Sequence, residues 1–155
     1  MRRLRRLSGD EGERGQITVL VLGMFLLVTT LVIGGIDVTA VQLARIRLLD
    51  ASDAAALDAA DSIDERAAYE QGVDQAVTLT DATVWSEAAA ELGRQQRPVG
   101  VDEWTLAAGT GTPDGHTAVV RLTGRVQLPL VGGVLEQLGG GVTVTVESRA
   151  RATLD

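Results

Sequence analysis

Apolar and polar positions follow three different periods along the chain. Residues 16–36 read QITVLVLGMFLLVTTLVIGGI, 21 residues without a charge. At 1.5 Å of rise per helical residue, about 20 apolar residues cross a hydrocarbon core of about 30 Å. The polar side chains are Gln16 at the edge and Thr18, Thr29 and Thr30, whose hydroxyls can bond back to the helix backbone. This stretch predicts a transmembrane helix. A cleavable signal peptide would have an apolar region of about 7–15 residues and an A-x-A-like site. Here the run is longer, and Val38-Thr39-Ala40 puts Val at the −3 position.

Residues 37–68 contain neither Gly nor Pro and are rich in Ala, Leu and Arg, which favour helix. On a helical projection Asp50, Asp53, Asp58, Asp61, Asp64 and Glu65 fall within a sector about 140° wide. Val41, Leu48, Leu49, Ala56, Ala59, Ala60, Ile63 and Ala67 gather opposite. Gly34 and Gly35 weaken a helix without forbidding it, so one long helix is expected, apolar first and amphipathic afterwards. The acidic face is expected to be solvated. Calcium sites wrap a flexible loop and its carbonyls around the ion, and no D-x-[DN]-x-[DN]-G loop is present. The Ala-rich face leaves room for close approach of another element.

Residues 69–97 keep a helical composition, with Gly72, Thr78, Thr80 and Thr83 as interruptions. Within them 86–96 predicts a short helix capped by Ser86 and closed by Arg97-Pro98. After Pro98 the period changes to two. Residues 99–107 lead into a Gly/Thr/Pro cluster at 109–115, where Asp114-Gly115 is a turn signal. Residues 117–128 put Val120, Leu122, Gly124, Val126 and Leu128 on one face and Val119, Arg121, Thr123, Arg125 and Gln127 on the other, with Pro129 ending the strand. Residues 130–138 read as a short helix or apolar turn before Gly139-Gly140-Gly141. Residues 142–153 alternate Val142, Val144 and Val146 against Thr143, Thr145 and Glu147, with Arg149 and Arg151 outward. Three strands with one apolar face need a cover, and the amphipathic helix is the candidate. The expected fold class is α+β: a single N-terminal transmembrane helix continuing into an amphipathic helix packed on a small antiparallel sheet. The expected organisation is an Arg-rich arm at 1–15, the span at 16–36, an Ala/Asp-rich helical region at 37–97 and a β region at 98–155.

Charge adds direction to this picture. The 155 residues carry 14 basic side chains, all Arg, and 21 acids, for a formal charge of −7. Five of the basic residues, Arg2, Arg3, Arg5, Arg6 and Arg14, precede the span, and the first after it are Arg45 and Arg47. Orientation follows the excess of basic residues, so the N-terminus is expected in the cytoplasm and 37–155 outside. An acidic chain with four aromatics is a poor candidate for nucleic acid. With no Cys and one His, thiolate zinc sites, cysteine nucleophiles and HExxH motifs are excluded. No G-x-S-x-G elbow or P-loop is present, and His116 sits in a turn two residues from Asp114, where a solvent-exposed loop His is expected. Neither a catalytic nor a metal nor a cofactor-binding residue is assigned. Trp85 and Trp104 are expected as core anchors.

The run Glu13-Arg14-Gly15-Gln16, the span, then Asp37, Leu43-Ala44-Arg45, Leu48 and Asp53-Ala54-Ala55-Ala56-Leu57 resembles the N-terminal region of TadE/TadG-like proteins of bacterial tight-adherence (Flp-type) pilus assembly systems. The resemblance covers about residues 12–60. It implies a pilin-like single-pass protein of the bacterial cytoplasmic membrane. Its partners would be the lipid bilayer and other pilus or secretion-machine membrane proteins, with homo- or hetero-oligomers formed through helix packing. The family positions carried over are Gly15, Asp37, Arg45, Leu48, Asp53, Ala54, Ala55, Ala56 and Leu57. Pseudopilins of this system have a Glu five residues after the cut Gly; counting from Gly15, that position is Leu20, which places the chain nearer the unprocessed TadG side. The D-x-S-x-S metal-adhesion loop of larger members is also absent, since Asp50-Ala51-Ser52-Asp53-Ala54 fails at its last residue. The function expected is structural, in pilus assembly or a related secretion system. The alternative is an anchored envelope module that recognises an extracytoplasmic ligand.

Overall fold

The structure, a computed structural model, describes residues 11–70, 78–138 and 141–151, with side chains described for 15–62, 78–138 and 141–151. Residues 1–10 of the expected arm at 1–15 and the stretch 71–77, including Gly72, lie outside the described residues, as do the side chains of Ile63, Asp64, Glu65 and Ala67. Helix α1 (Glu11–Glu70) is followed by helix α2 (Asp81–Arg94), strands β1 (Val101–Leu106) and β2 (Thr117–Val126), the short helix α3 (Gly132–Gln137) and strand β3 (Val142–Arg151). The fold is α+β: a long N-terminal apolar helix and a small antiparallel sheet. The chain divides into two units, Met1–Ile36 and Asp37–Asp155.

In the first unit the described side chains are apolar on every side of the helix and almost all exposed, from Ile17 to Ile36. Thr30 donates its hydroxyl to Leu26 O at 2.8 Å, which removes a polar group from the helix surface.

In the second unit the sheet order is β1-β2-β3, both pairings antiparallel. The register sets Leu122 opposite Leu106 on one side and Val146 on the other, and a bulge interrupts β1 between Val101 and Glu103. Alternation puts Ala118, Val120, Leu122 and Val126 of β2 and Val146, Ser148 and Ala150 of β3 on the covered face. Ala44, Leu48, Ala51, Ala55, Ala56, Ala59 and Ala60 of α1 complete the core with Val84, Ala88 and Leu92 of α2. The spacing of three and four along α1 is that of one helix face.

Two details depart from the sequence reading. Helix α2 starts at Asp81, capped by Thr80 in place of Ser86: Thr80 Oγ1 accepts from Thr83 N, and Thr83 Oγ1 accepts from Thr80 N. Ser86 lies inside the helix and bonds Thr83 O at 3.0 Å. The box is reciprocal, but its third position is Thr in place of the usual Glu or Gln. Val119, expected on the polar face, is buried, because the 107–116 loop returns along β2 and Gly111 exchanges two backbone hydrogen bonds with Val119.

Candidate functional site

Residues 37–60 of α1 are where the chain's distinctive side chains meet the sheet. Leu48 is fully buried against Gly124. A Cβ at Gly124 would stand 2.7 Å from Leu48 Cδ1 and 3.2 Å from Val101 Cγ1, so the glycine provides the notch that receives the leucine. One turn on, Ser52 is fully buried and donates its hydroxyl to Val120 O at 3.0 Å. Ala55, Ala56, Ala59 and Ala60 follow, each at 1% exposure or less. Small side chains bring the helix backbone close to the strands, and Ser52 keeps its polar atom satisfied at that distance.

Part of the acidic face is engaged. Asp53 accepts a hydrogen bond from Ser148 Oγ of β3. Asp58 meets Arg94 of α2 at 3.1 Å. Arg94 also holds Glu91 at 2.6 Å, and Glu91 is kept below the ordinary carboxylate range by Gln95 first and Arg94 second. Asp50, Asp53 and Asp61 are exposed, as the solvated-face reading expected; Asp58 is half-buried, and the side chains of Asp64 and Glu65 lie outside the described residues.

Asp37 is the first residue after the apolar run and is 6% exposed. Its Oδ1 accepts the Leu130 N–H at 3.0 Å, and its Oδ2 is buried with no hydrogen-bond partner among the described residues. A buried carboxylate oxygen without a donor costs free energy, so Asp37 is a position whose burial the fold must maintain against solvation.

Of the positions the resemblance carries over, Asp37, Leu48, Ala55 and Ala56 are buried, Ala54 is half-buried, and Gly15, Arg45, Asp53 and Leu57 are exposed. Arg2, Arg3, Arg5 and Arg6 lie outside the described residues, as does the side chain of Arg14. Ser52, Ser148, Leu130 and Gly124 take part in the seam without having been singled out for it. The pattern of small residues at 51, 52, 55, 56 and 59 is the sequence signal that could have marked Ser52; the others depend on contacts far apart in sequence.

The turn around His116 is built by Asp114, whose Oδ1 accepts from the backbone of His116 at 2.9 Å and of Thr117 at 2.7 Å. Those bonds, the His116 N–H first and the Thr117 hydroxyl next, hold the Asp114 carboxyl below its ordinary range. These are the contacts of an Asx turn, in which Asp114 is hydrogen-bonded to the backbone and to the Thr117 hydroxyl. An open cleft of about 490 Å³ runs beside Ala40, Leu43, Arg47, Leu128 and Glu136, where Arg47 donates to Val99 O. A second, shallower one of about 410 Å³ lies between Trp85 and Trp104. Trp104 packs on the core, whereas Trp85 is 43% exposed. Among the described residues, no group of three His, Cys, Asp or Glu could hold a metal ion.

The helix of 15–62 is long and apolar enough to cross a membrane. No curated protein and no solved structure matches the chain. A family described as putative Flp pilus-assembly TadE/G-like matches residues 15–62, the stretch that holds both the exposed apolar run and the sheet-covering face; the match supports a role in pilus assembly and fits a membrane protein.

Proposed function

We propose that the protein is a single-pass, pilin-like membrane component of a tight-adherence (Flp-type) pilus assembly or related secretion system and acts structurally. In this reading the 16–36 segment lies in the bilayer of the cytoplasmic membrane. The N-terminus stays in the cytoplasm, and 37–155 forms the exported domain. The carrying observation is the change along α1 at Asp37: before it, large apolar side chains are exposed on all sides; after it, one small-residue face is buried on the sheet. An all-round apolar exposed surface belongs in lipid, and an amphipathic one belongs on a folded domain. The family positions Gly15, Asp37, Arg45, Leu48, Asp53, Ala54, Ala55, Ala56 and Leu57 straddle that change. The Arg excess before the span gives the orientation.

Its machinery partners would be other membrane proteins of the same system, reached through lateral helix packing. Crosslinking in intact cells followed by purification should recover a secretion ATPase or an inner-membrane platform protein. A reporter fused after Asp155 should be active outside the cytoplasm. Cytoplasmic activity of that reporter would overturn the orientation, and a chain washed from membranes by alkaline carbonate would overturn the anchoring.

A second reading is an anchored module that binds an extracytoplasmic ligand. The half-exposed Trp85 beside Trp104 in one shallow cleft favours it, since paired indoles suit stacking on a flat ligand face. Normal pilus assembly in a deletion strain, with loss of a surface ligand, would select this reading.

A further inference from the structure

We propose that the segment 128–138 is a membrane-interface element, with Leu130, Val134 and Leu138 inserted at the headgroup level of the bilayer; the inference rests on the anchored reading above. These three side chains are 50%, 60% and 81% exposed. Between Val126 and Leu138 the single charged residue is Glu136. Val134 of α3 and Leu138, which caps its C-terminus, stand four positions apart on one side of the turn, and Glu136 lies on the opposite side. An exposed aliphatic cluster with so little charge is costly in water and favourable at a bilayer surface.

Its place in the fold names the occupant. Leu130 N–H is bonded to Asp37 Oδ1, and Asp37 is covalently joined to Ile36, the last residue of the apolar run. The segment also shares a cleft with Ala40 and Leu43, one to two turns along α1. Helix α1 continues to Ala60, about 35 Å further at 1.5 Å per residue. Along all that length the apolar segment is fastened at the end adjoining the span. A residue held at hydrogen-bond distance from the first carboxylate beyond the hydrocarbon lies at interfacial depth. A second copy of the chain is the weaker occupant, because three side chains on one short segment around α3 fall far short of the roughly 800 Å² per partner that a stable protein interface buries.

The chain has no Cys, so a single introduced thiol is a unique label site. The experiment uses the full chain with Val134→Cys, and separately Leu138→Cys, each carrying a polarity-sensitive fluorophore. These are reconstituted in phosphatidylcholine–phosphatidylglycerol vesicles that contain lipids with nitroxide near the headgroup or mid-chain. Leu27→Cys serves as the mid-span reference and the exposed Thr145→Cys as the outer-sheet reference. The expected result is several-fold stronger quenching of the 134 and 138 labels by the shallow nitroxide than by the deep one, deep quenching at 27 and none at 145. Deep quenching at 27 with the 134 and 138 labels no more quenched than 145 overturns the inference and leaves the anchoring intact. Absence of quenching at 27 overturns both. Energy transfer between labelled copies at 134 without lipid quenching would replace the bilayer by a second copy as occupant, and that too overturns the inference.

Discussion

Between residues 16 and 36, α1 carries Leu, Val, Ile, Met and Phe around its whole circumference, and nearly all of them are exposed; between 44 and 60 it carries Ala, Ser52 and Leu48 on one face, and that face is buried. Backbone geometry is the same in both, so helix propensity explains neither difference. What differs is the size of the side chains and their periodicity. Large side chains all round maximise apolar area toward a uniform apolar surrounding. Small side chains on one face trade area for proximity, and the seam gains from close packing of backbone on strands and from the Ser52 bond to Val120 O. On the anchored reading proposed above, one continuous helix meets two solvents.

The sharpest way to break that comparison is to place the same charge in each half. Leu48→Arg would bury a guanidinium with no partner, and the domain 37–155 is expected to lose its cooperative melt in detergent. Leu27→Arg should leave that melt in place and weaken membrane retention, since a charge at the centre of a span costs about 2.5–3.5 kcal/mol. If Leu27→Arg abolished the melt as well, the two halves would be one folding unit and the contrast would fail.

A finer cut tests the notch. Leu48→Ala removes a fully buried side chain and should destabilise by about 2–5 kcal/mol in chemical denaturation of the detergent-solubilised chain. Gly124→Ala should also destabilise, because its new methyl meets Leu48 Cδ1 at 2.7 Å. The double variant is expected to be more stable than the two losses added together, with a coupling of about 0.5–3 kcal/mol, because each change relieves the other. Strict additivity would mean that the two residues do not share the seam.

Smaller still are the polar details at the two ends of the core. Ser52→Ala removes one buried hydrogen bond and should cost about 1 kcal/mol. Thr80→Ala removes the cap of α2 and should cost about 0.5–2 kcal/mol. Both are measured by the same denaturation, and Ser52→Thr or Thr80→Ser should recover part of the loss.

Much of this architecture was readable in the sequence because it is local and periodic. The uncharged run, the three-and-four spacing from Leu48 to Ala60 and the alternation of Val142, Val144 and Val146 each report their own surroundings. The residues that escaped reading are those whose environment is set by a distant partner. Asp37 looks like any helix aspartate until Leu130, 93 residues on, donates to it. Asp53 looks unpartnered until Ser148 reaches it, and Val119 looks outward until Gly111 covers its edge. Thr80 was missed for a different reason: Thr83 replaces the carboxamide or carboxylate that marks a capping box. The positions carried over from the resemblance divide the same way, with Leu48 and Ala56 legible from the helix face and Asp37 legible only in three dimensions.

The outer face of the sheet supplies the last and smallest contrast, a site where solvent surrounds the charges. Glu147 accepts from Arg149 Nη2 at 2.7 Å and from Arg121 Nε at 2.6 Å. These bonds, Arg149 first and Arg121 second, hold its carboxyl below the ordinary glutamate value of 4.5. Because the folded value is the lower one, the stabilisation is fully present above the unfolded value and is lost as pH falls through the folded one. The pair is exposed and screened by salt, so its effect is slight. Glu147→Gln should therefore melt slightly below the parent chain at pH 7, and the two melting curves should converge as the pH is lowered past the folded value. Raising the salt at pH 7 should narrow the gap in the same way. A gap unchanged by acid and by salt would mean that the side chain acts through packing across β2 and β3, and the outer face would then resemble the buried seam more than the solvent-facing surface it is taken to be.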